Sequence, residues 1–145
     1  MKFVVQRVLK ASVKSEGKIV GKIKSGLFVL VGIRKGDDIK KADELINKLL
    51  KLRIVADQNK KMNLSILDSE SDVLFVSQFT LLANTKDGNR PSFVMAEDPD
   101  RAKWLYGYMV DNLKESGLNI QTGSFGNYME IEAVLDGPVT IVLEN

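Results

Sequence analysis

The run of apolar residues over 27–33 constrains the fold of this chain more than any other segment. It has the length of a strand and contains no charged residue, which is typical of a strand that is covered on both faces. Such a strand needs neighbouring strands beside it and a layer of structure above and below it. Residues 27–33 therefore predict a central strand in a layered fold.

Other segments predict strands around this run. Residues 3–13 are rich in valine with polar residues interleaved, residues 15–18 supply a turn, and an apolar stretch follows at 19–23. This order predicts a hairpin. Residues 73–76 again have the pattern of a buried strand and run directly into the polar group at 77–80. We therefore expect polar side chains at the point where a core strand ends.

Two segments have the three- and four-residue spacing of apolar positions that indicates an amphipathic helix. The first is capped by Asp37 or Asp38, and its apolar face consists of Ile39, Ala42, Leu45, Ile46, Leu49, Leu50 and Ile54. The second starts at Asp98-Pro99 and is ended by Gly117. Its apolar face consists of Ala102, Leu105, Tyr106, Met109, Val110 and Leu113.

The remaining segments predict turns, loops and a closing hairpin. Residues 57–60 form a polar turn, residues 63–71 are irregular, and residues 84–91 form an exposed loop. Residues 129–143 alternate in hydrophobicity around a tight turn at Asp136-Gly137-Pro138, which predicts two strands joined by that turn. The sequence contains no repeat, linker or low-complexity tract.

Together these elements predict an α/β (mixed αβ) fold of about seven or eight strands and two main helices. We expect curved, barrel-like β-sheets with the helices packed on one face, in a three-layer ββα arrangement. Residues 1–145 are expected to form a single domain, because the chain has the length of one domain and is 44% hydrophobic. Open strand edges in so small a fold favour pairing with a second copy.

The composition excludes several kinds of catalytic site. The chain has no histidine and no cysteine, so a Ser-His-Asp triad, a metal bound by imidazole or thiolate and a cysteine nucleophile are impossible. The acidic residues lie in predicted helices and turns, and nothing marks two of them as a facing catalytic pair. The 21 Lys and Arg against 19 Asp and Glu leave a net charge of +2, so any contact with nucleic acid must be local.

Nothing in the sequence predicts secretion or membrane insertion. Gln6 and Arg7 interrupt the first apolar stretch before a signal-peptide core forms. No window approaches the roughly 18 uninterrupted apolar residues that cross a bilayer. We expect a cytoplasmic protein.

Two short segments could carry chemistry, and each has a purely structural alternative. The hydrogen-bonding groups of residues 77–80 either bind neighbouring backbone at a strand end or line a functional site. Thr80 has a hydroxyl, but a threonine is unreactive without an adjacent base and no histidine is present to serve. Asp136-Gly137-Pro138 is either a plain turn or a rigid corner that presents carbonyl groups.

Motifs spread over the whole chain resemble those of the D-aminoacyl-tRNA deacylase family, whose members remove D-amino acids and glycine from tRNA. The motifs occur in the same order as in that family, which makes the resemblance far more specific than any one motif would be. The chain departs from the family at Leu135, where an asparagine is common. The motifs are Gln6-Arg7-Val8, Ala11-Ser12-Val13, Lys61-Met62-Asn63-Leu64, Ser77-Gln78-Phe79-Thr80-Leu81, Arg90-Pro91-Ser92-Phe93, Pro99-Asp100-Arg101-Ala102, Gln121-Thr122-Gly123 and Gly137-Pro138-Val139-Thr140.

The resemblance implies hydrolysis of the ester of D-aminoacyl-tRNA, and of glycyl-tRNA mischarged on tRNA(Ala), as a proofreading step in translation. It implies a homodimer in which Gly137-Pro138, with a cis peptide bond, enters the partner's pocket and rejects L-amino acids. The catalytic residues it implies are Thr80, Gln78 and Ser77, with Arg7 supporting the corner. The substrate-binding residues it implies are Phe79, Gly137, Pro138, Met129 and Phe125.

The resemblance leaves two mechanisms open: Thr80 as nucleophile, or participation of the 2′-hydroxyl of the terminal adenosine. We favour the 2′-hydroxyl, because an aminoacyl ester is already labile and needs mainly positioning and donors to its oxyanion. The expected partners are a second copy and the tRNA acceptor end, with no metal, cofactor, membrane or DNA. The alternatives are a non-catalytic dimeric module that binds tRNA or a small ligand, and an accessory RNA-binding protein.

Overall fold

The computed structural model describes residues 1–86 and 88–145 of the chain. Asp87, which belongs to the loop predicted over 84–91, lies outside the described residues. The strands are β1 (Lys2–Ser15), β2 (Lys18–Ile23), β3 (Gly26–Gly32), β4 (Val55–Ala56), β5 (Met62–Leu64), β6 (Asp72–Ser77), β7 (Ile120–Thr122) and β8 (Glu130–Glu144). The helices are α1 (Ile39–Leu50), α2 (Ile66–Ser69), α3 (Pro99–Lys114) and a 3₁₀ helix, Phe79–Leu82.

Six of these strands form one sheet, in the order β2-β1-β3-β6-β7 with β8 also paired to β1. The long strand β1 is antiparallel to β2, β3 and β8, whereas β3, β6 and β7 run parallel. The sheet curls until β2 approaches β7, where a Cβ atom on Gly21 would overlap the carbonyl oxygen of Thr122. Glycine is therefore required for this near closure, and the predicted barrel-like α/β fold is confirmed.

Strand alternation in β3 separates the core into two clusters. Leu27 and Val29 face α1 and α3, and Phe28 points to the opposite side, into the barrel. Phe75 of β6 lies in the helix-side cluster, where Phe3 meets it edge-on at 5.4 Å between ring centroids. Leu27, Phe28 and Val29 are at most 5% exposed, so the predicted central strand is buried on both faces, with the helices on one of them.

Both main helices start where the sequence predicts. The side chain of Asp38 caps α1 by accepting a hydrogen bond of 2.9 Å from the backbone N–H of Lys41. Asp37, the other predicted cap, is fully buried, and its carboxylate lies 2.9 Å from the α-ammonium group of Met1. Asp98 caps α3, whose first residue is Pro99. The predicted helical periodicity ran on to Ile54, but α1 ends at Leu50, four residues earlier.

The prediction that residues 63–71 are irregular is wrong. Residues of this stretch form the end of β5 and the single turn α2. Ser65 accepts a hydrogen bond from the Asp68 N–H, and the Asp68 carboxylate accepts one from the Ser65 N–H. This reciprocal capping stabilises a helix too short to show a period in the sequence.

The predicted closing hairpin is also wrong, because β8 is one strand that pairs with β1 on both sides of the predicted turn. Leu135 pairs with Val8 and Thr140 pairs with Gln6, so residues 136–139 all lie opposite Arg7. Pro138 has no N–H to donate to the ladder, which explains why the segment bulges out of the sheet. The strand then resumes its pairing instead of reversing. We call this bulge, residues 136–139, the corner.

Candidate active site

The carboxyl end of β6 is the first part of the site. Ser77 pairs with Val31 of β3, and the backbone N–H of Gln78 donates a 2.7 Å hydrogen bond to the Val31 carbonyl. The chain then turns into the 3₁₀ helix, which packs on Gly32. A Cβ atom at Gly32 would lie 3.1 Å from Leu81 Cβ, so glycine permits this close approach. The prediction that a core strand ends in polar residues is confirmed.

Two polar side chains of this strand end, those of Gln78 and Thr80, bind one another. The amide of Gln78 donates a hydrogen bond to Thr80 Oγ1. Thr80 is exposed to solvent. Ser77 and Gln78 are half-buried. In the described part of this chain, the amide is the only side chain that hydrogen-bonds to Thr80. An amide N–H donates and cannot accept the hydroxyl proton, so no side chain in the described part of the molecule serves Thr80 as a general base.

Phe79 gives the strand end an exposed aromatic surface. It is 58% exposed and packs edge-on against Phe93, with 5.0 Å between ring centroids. Phe93 comes shortly after the predicted loop, which is closed by reciprocal backbone hydrogen bonds of 2.8 and 2.9 Å between Asn84 and Ser92. A ring fixed in this way can stack on a nucleobase.

Met129 and Phe125, both predicted to line the pocket, occupy different surroundings. Met129 Sδ accepts a hydrogen bond of 3.2 Å from the Ser124 N–H, and the residue packs in the barrel cluster that contains Val76, the neighbour of Ser77. Phe125 packs on Tyr106 in the helix-side cluster, at 5.6 Å between ring centroids. Met129 therefore flanks the strand end, whereas Phe125 extends the core beneath α3.

Tyr106 holds Phe125 against the rest of the core. Its hydroxyl donates a 2.6 Å hydrogen bond to the carbonyl of Phe75, and the two rings stack at 5.7 Å. Burial raises the pKa of Tyr106 well above its usual range, so this phenol stays protonated and keeps its donor. Tyr106 is thus a structural residue.

The corner is exposed at both Gly137 and Pro138, and the peptide bond between them is cis. Gly137 has a φ of +122°, a conformation that side chains rarely adopt. A Cβ atom there would lie 2.9 Å from Val139 Cγ2 and 3.3 Å from Arg7 Nη2. Backbone conformation and crowding therefore both require glycine at this position.

Arg7 packs beneath the corner. Its Nη1 donates a 2.7 Å hydrogen bond to the carbonyl of Ile54, and its Nε lies 2.8 Å from Asp136 Oδ2. Although the separation from Asp136 is short, the buried Nε makes no hydrogen bond. We therefore treat Arg7 and Asp136 as an ion pair without a directed hydrogen bond.

The strand end and the corner are separate within one chain. Strands β1 and β3 lie between β8 and β6, which corresponds to roughly 14 Å across a sheet with ordinary strand spacing. Along the strands, Arg7 is level with Leu27, whereas Ser77 is level with Val31. Apart from Phe125, which lies in the helix-side core, the structure therefore brings the predicted site residues together in two groups, one at each location.

A cleft of about 410 Å³ lies at neither location. It is on the outer face of β1, β2 and β8, where Lys10, Ser12 and Lys22 are among its lining residues. Within residues 1–86 and 88–145, no group of three or more acidic side chains is placed to hold a metal ion. No helix in the same ranges is both long and apolar enough to cross a membrane.

Three residues around these groups were not predicted as site residues. The sequence marks Phe93 only as part of a motif, although an aromatic residue at the end of a polar loop is a signal for it. The sequence predicts Asp136 only as a turn residue. The sequence pattern places Ile54 in a helix. Its carbonyl contact with Arg7 joins residues 47 positions apart, and no sequence pattern predicts it.

Comparisons with known proteins agree with the motifs. The family model described as D-Tyr-tRNA(Tyr) deacylase matches residues 4–144. The chain is 50% identical to a D-aminoacyl-tRNA deacylase of Aquifex aeolicus, over 100% of this chain and 98% of that protein. It is 48% identical to the one of Syntrophomonas wolfei subsp. wolfei, over 100% and 97%.

A solved structure shares the fold over its full length. The structure of a protein named c-Myc DNA Unwinding Element Binding Protein superimposes with a TM-score of 0.94 at 38% sequence identity. The alignment covers 100% of this chain and 99% of that one. On the family model and these identities, the chain belongs to the D-Tyr-tRNA(Tyr) deacylase family.

Proposed function

We propose that this protein hydrolyses the ester bond of D-aminoacyl-tRNA, and of glycyl-tRNA mischarged on tRNA(Ala), as a metal-independent hydrolase. The observation that carries the proposal is the strand end of β6, where Gln78 is hydrogen-bonded to Thr80 beside the exposed ring of Phe79. Membership of the deacylase family supports the choice of substrate. Acting as one domain over residues 1–145, the chain works in the cytoplasm, where charged tRNA is used.

In the proposed reaction, water adds to the ester carbonyl carbon and the bond from this carbon to the adenosine 3′ oxygen breaks. The 3′ oxygen takes up a proton, and the amino acid leaves as a carboxylate. We assign activation of the water to the adjacent 2′-hydroxyl, because Thr80 has a donor and no base beside it in the described part of this chain. Ser77, Gln78 and Thr80 position the ester, and Phe79 stacks on the terminal adenine.

We infer that the corner of a second subunit completes each site. The corner is exposed and lies two strands away from the strand end of its own chain. Apolar side chains around it, 42–57% exposed, offer a surface for that subunit: Leu9, Val134, Leu135 and Val142. Main-chain groups at Gly137 and Pro138 would then face the aminoacyl group and exclude an L side chain by direct overlap.

The proposal is tested by incubating chelator-treated protein with D-Tyr-tRNA and L-Tyr-tRNA and following loss of each ester. Selective loss of the D ester supports it. The alternatives are a non-catalytic dimeric module that binds tRNA or a small ligand, and an accessory RNA-binding protein. Retained tRNA binding without loss of either ester would favour these alternatives and contradict the proposal.

A further inference from the structure

The hairpin of β4 and β5 contains the motif Lys61-Met62-Asn63-Leu64, which the proposed site does not use. Val55 pairs with Leu64, and Ala56 pairs with Met62. The turn of this hairpin, residues 57–61, presents the adjacent lysines Lys60 and Lys61 to solvent. We call Lys60, Lys61 and Met62 the hairpin tip.

Hydrogen bonds within the hairpin fix the shape of this tip. The Asp57 carboxylate accepts from the backbone N–H of Asn59 at 2.8 Å and of Lys61 at 3.0 Å, and from the Asn63 side-chain amide at 3.3 Å. These donors lower the pKa of Asp57 from its ordinary value. The turn is therefore held by backbone groups and by Asp57, and it does not need the ammonium groups of Lys60 and Lys61.

The hairpin is anchored beside the corner. Arg53 Nε donates a 2.7 Å hydrogen bond to the carbonyl of Asn63, and its guanidinium also binds the Asn63 side chain. The next residue, Ile54, accepts the hydrogen bond from Arg7, which pairs with Asp136. One chain of contacts thus joins the hairpin to the segment that we place in the partner's site.

The chemistry of the tip fits the backbone of a nucleic acid. Lys60 and Lys61 are exposed, and neither forms an ion pair within the described residues. The nearest carboxylate in sequence, that of Asp57, is occupied by the three donors within the hairpin. Met62 is 58% exposed and adds an apolar surface next to the two cations.

We propose that Lys60 and Lys61 bind phosphates of the tRNA acceptor strand whose aminoacyl end lies in the partner subunit's site. This inference rests on the proposed function. Each subunit would then contribute both the corner and a phosphate grip to a substrate that the other subunit cleaves. A chain with a net charge of only +2 can bind tRNA in this way, because a few well-placed cations carry the contact.

The test is the salt dependence of tRNA binding by a Lys60→Gln, Lys61→Gln double variant. Loss of two phosphate contacts should lower the slope of log K against log salt by about one per lysine. The matched control is Lys103→Gln with Lys114→Gln on α3, which removes the same charge elsewhere. Its slope should equal that of the unmodified protein. A slope equally unchanged in the hairpin variant would overturn the proposal.

Two further measurements separate this inference from the proposed function. The first compares D-Tyr-tRNA with 3′-D-tyrosyl-adenosine, an ester that carries no phosphate. The ratio of kcat/KM for the tRNA to kcat/KM for this ester should fall about tenfold in the hairpin variant. If the unmodified protein cleaves neither ester, the proposed function fails, but the salt dependence of tRNA binding still tests the role of the hairpin.

The second measurement is the oligomeric state of the hairpin variant. If this variant no longer forms a dimer and its salt slope is unchanged, the hairpin tip is a contact between subunits, and the proposal is contradicted.

Discussion

Arg7 and Asp136 face each other across the bulge between β1 and β8, with Nε 2.8 Å from Oδ2. Asp136 immediately precedes Gly137, and the same guanidinium donates to the carbonyl of Ile54. The position of the corner therefore depends on three segments that are far apart in sequence. If the corner sorts the two stereoisomers, the arginine that holds it should affect selectivity as well as stability.

We expect Arg7→Met to fold but to lose part of its discrimination between D and L esters. The substitution keeps an unbranched apolar stem, which reaches about as far as Nε, and removes both the ion pair and the donor to Ile54. It should lower the free energy of unfolding by about 1–2 kcal/mol. Arg34→Met is the matched control, because Arg34 pairs with Glu144 of β8 at 2.5 Å, away from the corner. Thermal melting and the ratio of hydrolysis rates for D-Tyr-tRNA and L-Tyr-tRNA measure both effects, and equal ratios in the two variants would contradict the role of Arg7.

Gly137→Ala should displace the corner. At a φ of +122° the new side chain costs about 1–3 kcal/mol of conformational energy, and its Cβ also meets Val139 and Arg7. We expect hydrolysis of L-Tyr-tRNA to rise relative to D-Tyr-tRNA. Gly117→Ala is the control, since Gly117 has a φ of +79° and nothing within 4 Å of the added Cβ. Stereoselectivity that is equally retained in both variants would count against the corner as the filter.

Thr80→Ala should retain substantial deacylation of D-Tyr-tRNA. The only side chain bonded to the Thr80 hydroxyl in the described part of this chain is the donor amide of Gln78. Removal of a true nucleophile costs several orders of magnitude in kcat, whereas we expect a decrease within about tenfold. Single-turnover kinetics with saturating protein gives the chemical rate directly. Complete loss of that rate with tRNA binding preserved would identify Thr80 as the nucleophile.

Acid should weaken the hairpin of β4 and β5. The pKa of Asp57 is lower in the folded protein than in the unfolded chain, where it is about 4. The ionised carboxylate therefore stabilises the fold at a pH above the pKa of the unfolded chain. This stabilisation is lost as the pH falls through the lower pKa of the folded protein. Asp57→Asn should therefore melt at a lower temperature than the unmodified protein at pH 7, and the difference should shrink below about pH 4. Asp111→Asn on α3 is the control. A difference in melting temperature that is independent of pH would exclude this role of the carboxylate.

The main elements of the fold could be predicted because each has a clear period in the sequence. The apolar run of β3 and the helical spacing in α1 and α3 each fit only one kind of element. The closing hairpin was predicted wrongly because Asp136-Gly137-Pro138 has the composition of a turn. Composition does not show that β1 continues far enough to pair with both halves of β8. The single turn α2 was missed because four residues are too few to show a period.

The site was only partly predictable from the sequence. The polar strand end at Ser77 follows from the pattern, since a buried strand runs directly into residues with hydrogen-bonding groups. The assignment of Gly137 and Arg7 came from the resemblance to a family and not from any local signal. The link from Arg7 to Ile54 arises from tertiary packing, which pairs residues that no sequence period relates.

The central claim is that the strand end of one subunit works with the corner of another. Dimers that join a Gly137→Ala chain to a Phe79→Ala chain, purified through two different tags, test it directly. The only intact strand end then belongs to the first chain and should meet the intact corner of the second. We predict hydrolysis of D-Tyr-tRNA with wild-type rejection of L-Tyr-tRNA in these mixed dimers. Hydrolysis of L-Tyr-tRNA at the relative rate of the Gly137→Ala protein would show that each chain uses its own corner, and would contradict the account.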